Sequence, residues 1–183
     1  MSSAKIGFLC ASLRVGSINK QLENALILRS KDLGVDTSII DLAEFKLPLF
    51  HGDLQTPDNV KALINKMKSF DGIVITSPEY NGGLPPILKN AIDWTSTVGT
   101  DHFTSPIYGI ASCAPGSMSG IMGMRQTAYI LGRLGAEVIP TQVGCGKASQ
   151  AFGKNGQLIA QPAADLANQM LTSLIERIAR KVA

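Results

Sequence analysis

The chain is poor in the residues that build metal centres and disulfide frameworks. Its 183 residues include three cysteines, Cys10, Cys113 and Cys145, and two histidines, His51 and His102. The cysteines are odd in number and far apart in sequence, and none forms a C-x-x-C pair. Both a disulfide framework and a zinc site are therefore disfavoured. Aromatic residues are 5% of the chain, so the core must be mostly aliphatic. No apolar run approaches the roughly 20 residues a membrane helix requires. Met1 to Lys5 is too short and polar to open a signal peptide, which makes the cytoplasm the expected location, with no membrane partner. Neither sign of charge dominates: 17 basic residues against 14 acidic ones give a net +3. The excess is spread along the chain, as on ordinary solvated surface, and no nucleic-acid partner is expected.

What is present is a long alternation of apolar runs and helical patterns. A hydrophobic share of 45% beside a charged share of 17% supplies a sizeable core. The length predicts one domain spanning residues 1–183. Strands are predicted at Lys5 to Cys10, Asp36 to Asp41, Gly72 to Ser77 and Pro106 to Ser112, with a fifth from Glu137 toward Val143. Helices are predicted at Asn19 to Leu33, Asp58 to Ser69, Pro85 to Ser96 and Ser119 to Gly135, and from Pro162 to about Lys181. Leu42 to Pro57 reads as a loop. Five strands alternating with five helices, joined by right-handed crossovers, specify an α/β fold. It is a flavodoxin-like, doubly wound five-stranded parallel sheet of order 2-1-3-4-5.

Such a sheet binds ligands beyond the carboxyl ends of strands one and three, where the strand order switches. The loops there are the least ordinary segments of the chain. The first reads ASLRVGSIN. Ser12, Ser17 and Asn19 can hydrogen-bond phosphate oxygens, Arg14 adds charge-assisted donors, and the following helix offers its N-terminus to an anion. The same residues would also serve a plain helix cap at Ser17 or Asn19, with Arg14 in solvent. The loop has one glycine, so it is neither a G-x-G-x-x-G dinucleotide fingerprint nor a P-loop. Only three residues separate Cys10 from Arg14, too few for the phosphate cradle of a cysteine phosphatase, and Cys10 is read as a small buried hydrophobe. The second loop runs from Ser77 to Leu84. Gly82 and Gly83 free its backbone, and Pro85 and Pro86 stiffen its exit. Its amides could meet the polar edge of a planar heterocycle, with Tyr80 against the ring. It could equally be a proline-rich turn ahead of an amphipathic helix.

The segment SPEYNGGLPPILKNAIDW resembles the signature of NADPH-dependent FMN reductases, whose pattern is close to SPEYNGSxPxxLKNAIDW. Gly83 stands where that pattern has serine. The first loop is similar to the same family's GS-x-R-x-x-S-x-N, with Ala11 in place of glycine. The resemblance spans about Lys5 to Pro140. It implies FMN as cofactor, NADPH or NADH as electron donor, and small acceptors such as quinones, free flavin, azo dyes, chromate or ferric compounds. It also implies a homodimer or homotetramer. Ser12, Arg14, Ser17 and Asn19 would hold the FMN phosphate. Pro78, Glu79, Tyr80, Asn81 and Gly82 would wrap the ribityl chain and isoalloxazine edge, and a third loop from Ser112 to Gly120 would complete the site. That loop departs from the family's G-G-x-R: Ser119 replaces one glycine, Met122 replaces the arginine, and Arg125 follows three residues later.

Hydride transfer to a flavin needs stacking and orientation, so no catalytic acid, base or metal is expected from the protein. His51 and His102 are read as surface or loop residues. Two alternatives remain. One is a flavodoxin-type electron carrier, although such carriers are acidic and carry a T-x-T-G-x-T loop. The other is a flavin-binding regulatory protein.

Overall fold

The computed structural model describes residues 4–182. Lys5–Cys10 (β1) leads into α1 (Ile18–Asp32), followed by β2 (Asp36–Ile40), α2 (Asp58–Lys68) and β3 (Gly72–Thr76). Then come α3 (Pro86–Ser96), a short α4 (Asp101–Thr104), β4 (Ile107–Cys113), α5 (Ile121–Arg133), β5 (Glu137–Val138), β6 (Val143–Cys145) and α6 (Ala163–Val182). All strand pairs are parallel, in the order β2-β1-β3-β4-β5, with β6 also on β4. The expected strand order is therefore present.

Burial on both faces explains the unbroken apolar runs of the central strands. Every residue of β3 and of β4 is buried. On one face Ile6, Phe8 and Val74 pack with Leu22 and Leu26 of α1 and Met170, Leu171 and Leu174 of α6. On the other, Ile73, Ile75 and Ile110 meet Leu63, Leu88 and Leu131 of α2, α3 and α5.

Two expectations, the single fifth strand and the placement of His102, need correction. The fifth strand is two short pieces. Ile139 N–H still bonds Tyr108 O, and regular pairing resumes only at Val143 opposite Ala111. The extra helix α4 carries His102, which is neither exposed nor in a loop: it is 1% exposed, its ring lies 4.1 Å from that of Phe103, and its carbonyl accepts the Tyr108 hydroxyl. Burial, reinforced by Lys68, lowers its pKa to about 4, against the opposing pull of Asp101. Cys113 and Cys145, distant in sequence, are register partners on adjacent strands; both thiols are free and buried. Their shared hydrogen bond, with burial, holds Cys113 protonated. His51 is exposed, as expected.

Candidate flavin site

β1, β3 and β4 end side by side. Ala11 N–H donates to Thr76 O at 2.8 Å and Ser77 N–H to Ala111 O at 2.9 Å, so the three loops that follow leave one edge of the sheet together. The sequence scattered these loops over about a hundred residues, and the parallel register gathers them.

The first loop ends in a capped helix. Ser17 is 3% exposed, and its Oγ accepts from the N–H groups of Asn19 and Lys20. A hydroxyl that accepts in this way keeps its own hydrogen free to donate. Arg14 is exposed, and the amides of Leu13 to Gly16 donate to no protein acceptor among the described residues. Gly16 turns the chain with φ 69°. Asn19 has a different task from the expected one: its amide is spent on both backbone groups of Cys113, so it joins α1 to β4. On the β2 side of this loop lies a groove of about 460 Å³, lined by Cys10, Ser12, Arg14, Lys20 and Asp41 among others. Cys10 is 8% exposed, and burial raises its thiol pKa. Beneath the loop Glu23 is fully buried, 2.5 Å from Lys20; burial raises its carboxyl pKa and Lys20 opposes the rise. No local signal in the sequence marked Glu23 as buried.

The second loop is a tight hairpin. Tyr80 and Gly83 exchange two backbone bonds of 3.0 Å, and Asn81 (φ 51°) and Gly82 (φ 78°) both lie in the left-handed region. These are the dihedrals of a type I′ turn, which explains why the sequence reads Asn-Gly here. Pro78 is buried, Asn81 and Gly82 are exposed, and Tyr80 is 48% exposed beside them. Glu79 points away from the turn: its Oε2 accepts from Met122 N–H (2.9 Å) and Gly123 N–H (3.1 Å) at the start of α5. The residue at the cap position of that helix is Gly120, which has no side chain to offer, so Glu79 does the capping from another loop.

The rest of the PEYNGG…LKNAIDW segment is a fastening. Lys89 and Asp93, one helical turn apart, pair at 2.7 Å. Asn90 Nδ2 and Trp94 Nε1 both donate to Pro48 O, and Asn90 Oδ1 accepts from Phe50 N–H, which pins the long loop after β2 onto α3.

Ser112, at the end of β4, is fully buried, and its Oγ has no partner. A Cβ on Gly120 (φ 72°) would lie 2.0 Å from that oxygen, so the third loop closes on Ser112 only because residue 120 has none. The loop is braced from behind by Ala114 N–H to Cys145 O at 2.9 Å; it presents Met118, 69% exposed, and the first turn of α5 presents Met122, 48% exposed.

These features fit FMN: unused amide donors and a cation for a phosphate after β1, a preformed turn for a ring edge after β3, and an unpaired buried hydroxyl at the end of β4. No cluster suited to a metal ion is present among the described residues, and none of the described helices is long and apolar enough to cross a membrane.

The sequence profile of the NADPH-dependent FMN reductases matches residues 4–150. The chain is 32% identical over 181 residues to the quinone reductase of Escherichia coli (strain K12), covering 94% of each chain. It is 39% identical over 95 residues to the 2-hydroxy-1,4-benzoquinone reductase of a Burkholderia species, a match that spans 50% of that protein's length. Its fold is similar to that of FerB, a flavoenzyme NAD(P)H:(acceptor) oxidoreductase from Paracoccus denitrificans. The TM-score is 0.80 at 20% identity, over 97% of this chain and 98% of the other.

Proposed function

The chain belongs to the NADPH-dependent FMN reductase family, and from that premise we propose that it is a single-domain FMN enzyme oxidising NADPH or NADH. Its electrons pass to small organic acceptors, with quinones first among them. Bound at the three loops, FMN would supply the hydride and electron chemistry. The protein's part is to bind and orient. Arg14, Ser12, the free amides of Leu13 to Gly16 and the N-terminus of α1 neutralise and hold the phosphate. The Ser17 hydroxyl donates to it. The hairpin Tyr80 to Gly83 turns its exposed backbone toward the isoalloxazine edge, and Ser112 supplies a hydroxyl beneath it. Asn19 keeps the first and third loops in register.

The observation that carries the reading is the first loop, which joins four unused amides, an arginine and a capped helix N-terminus at the switch in strand order. The quinone preference rests on the two quinone-reducing relatives and on exposed Met118 of the third loop and Met122 of the first turn of α5, which offer an apolar wall where the family pattern has an arginine at residue 122. A cytoplasmic homodimer or homotetramer is part of the same proposal.

The test is steady-state oxidation of NADH and NADPH by FMN-loaded protein with menadione as acceptor. Turnover with at least one nicotinamide is expected. Failure to oxidise either would overturn the reading and favour an electron carrier or a regulatory flavoprotein.

A further inference from the structure

The hairpin from Tyr80 to Gly83 has two backbone hydrogen bonds of its own and is exposed from Tyr80 to Gly82. An isolated two-stranded turn of that size is marginal in water, so something outside it must set its orientation. The structure supplies a hold at each end, and both come from α5. On the entry side Glu79 accepts from Met122 N–H and Gly123 N–H. On the exit side Leu84 N–H donates to Oε1 of Gln126 at 2.8 Å. Between these two holds the helix comes close enough for a Cβ on Gly123 to lie 3.3 Å from both Glu79 Cβ and Gly83 O. Gly123 and Gln126 are three residues apart, so they share one face of the helix.

Gly83 and Gln126 are shaped to each other. A Cβ on Gly83 would lie 2.9 Å from Gln126 Oε1, and its other neighbours are no closer than 3.8 Å. The φ of Gly83 is not in the left-handed region, so the glycine is not needed for backbone conformation. Its bare Cα leaves room for the glutamine's oxygen, which a Cβ there would push aside. The same Oε1 that excludes a side chain at residue 83 receives the amide of residue 84.

We propose that Gln126, seated against Gly83, is a positioning residue that fixes the flavin-edge hairpin on α5 and thereby sets how tightly FMN is held and at what potential it is reduced. The proposal rests on the FMN reading above. It adds a residue outside the SPEYNGGLPPILKNAIDW segment and a direct mechanical link between the second loop and the helix that follows the third.

The test uses FMN-loaded protein with Gln126→Ala, Gln126→Glu, Gly83→Ala and the double variant Gly83→Ala/Gln126→Ala. FMN affinity is read from flavin fluorescence on dilution and the flavin midpoint potential from dye equilibration, with amide hydrogen exchange at Leu84 as a readout that needs no flavin. Gln126→Ala should weaken FMN by about tenfold, the size expected for one lost hydrogen bond that orients a site. It should also displace the potential and speed exchange at Leu84. Gln126→Glu keeps the accepting oxygen and should retain FMN affinity within about twofold and slow exchange at Leu84. Gly83→Ala should weaken FMN by forcing Gln126 aside, and adding Gln126→Ala should cost little more, the non-additivity of two groups in contact. Gln126→Ala with unchanged affinity, potential and exchange would overturn the proposal, as would Gln126→Glu failing to rescue. If the parent protein binds no FMN, the functional reading fails, and exchange at Leu84 still decides whether Gln126 holds the hairpin.

Discussion

Asn19 and Cys113, 94 positions apart, are joined by two hydrogen bonds of 2.9 Å: Asn19 Nδ2 donates to the Cys113 carbonyl, and Cys113 N–H donates to Asn19 Oδ1. One side chain thus fastens the first turn of α1, which closes the proposed phosphate loop, to the last residue of β4, next to Ser112. Asn19→Ala leaves two buried backbone groups without partners. It should cost about 3 kcal/mol of folding stability, taking each lost buried bond at one to two. Urea unfolding should show a lower midpoint with an unchanged slope.

Arg14 is the exposed cation of the first loop. Arg14→Ala should weaken FMN by about tenfold or more, the worth of a charge-assisted contact to phosphate, and leave riboflavin affinity nearly unchanged. Parallel fluorescence titrations of the two flavins check this. Equal weakening of both would place Arg14 away from the phosphate.

Glu79 caps α5 across the chain, at the two amides of its first turn. Glu79→Ala should cost about 1 kcal/mol, within the usual range for losing a helix cap. Glu79→Gln, which keeps an accepting oxygen, should cost less. Thermal unfolding of the two variants beside the parent gives the comparison.

His102 makes stability depend on pH. Its folded pKa of about 4 lies below the ordinary 6.5, so between these values the unfolded chain binds a proton that the folded one refuses. Its contribution is full above pH 6.5 and is lost progressively as the pH falls toward 4, amounting to about 3 kcal/mol for a shift of this size. Of the charged groups around it, Lys68 strengthens the shift and Asp101 weakens it. Denaturant midpoints at pH 7.5 and 4.5 should differ less in His102→Phe than in the parent.

The sheet was legible because its strands are short apolar runs bounded by small or turn-forming residues, and GIVIT of β3 is buried throughout. The switch-point loops were legible for the same reason, although the left-handed turn falls on Asn81 and Gly82 and not on the Gly82-Gly83 pair that the sequence singled out. What could not be read were the long-range partners. Asn19 has the chemistry of a phosphate ligand, and nothing near it in sequence reveals that Cys113 takes up both ends of its amide. Glu79 lies in a segment that resembles a flavin loop, while its carboxylate serves a helix that begins more than forty residues later. His102 was expected at the surface or in a loop, but packing against Phe103 and the bond from the Tyr108 hydroxyl to its carbonyl hold it inside. Asn90 and Trp94 belong to the most recognisable stretch of the chain and hold the Pro48 loop, a structural task that motif spacing alone does not disclose.

The most direct test of the account is an anaerobic two-step titration of the FMN-loaded protein. NADPH or NADH should bleach the flavin absorbance at one nicotinamide per flavin, and a stoichiometric addition of menadione should restore it. A flavin that neither nicotinamide bleaches, or that stays bleached when the quinone is added, would contradict the central claim.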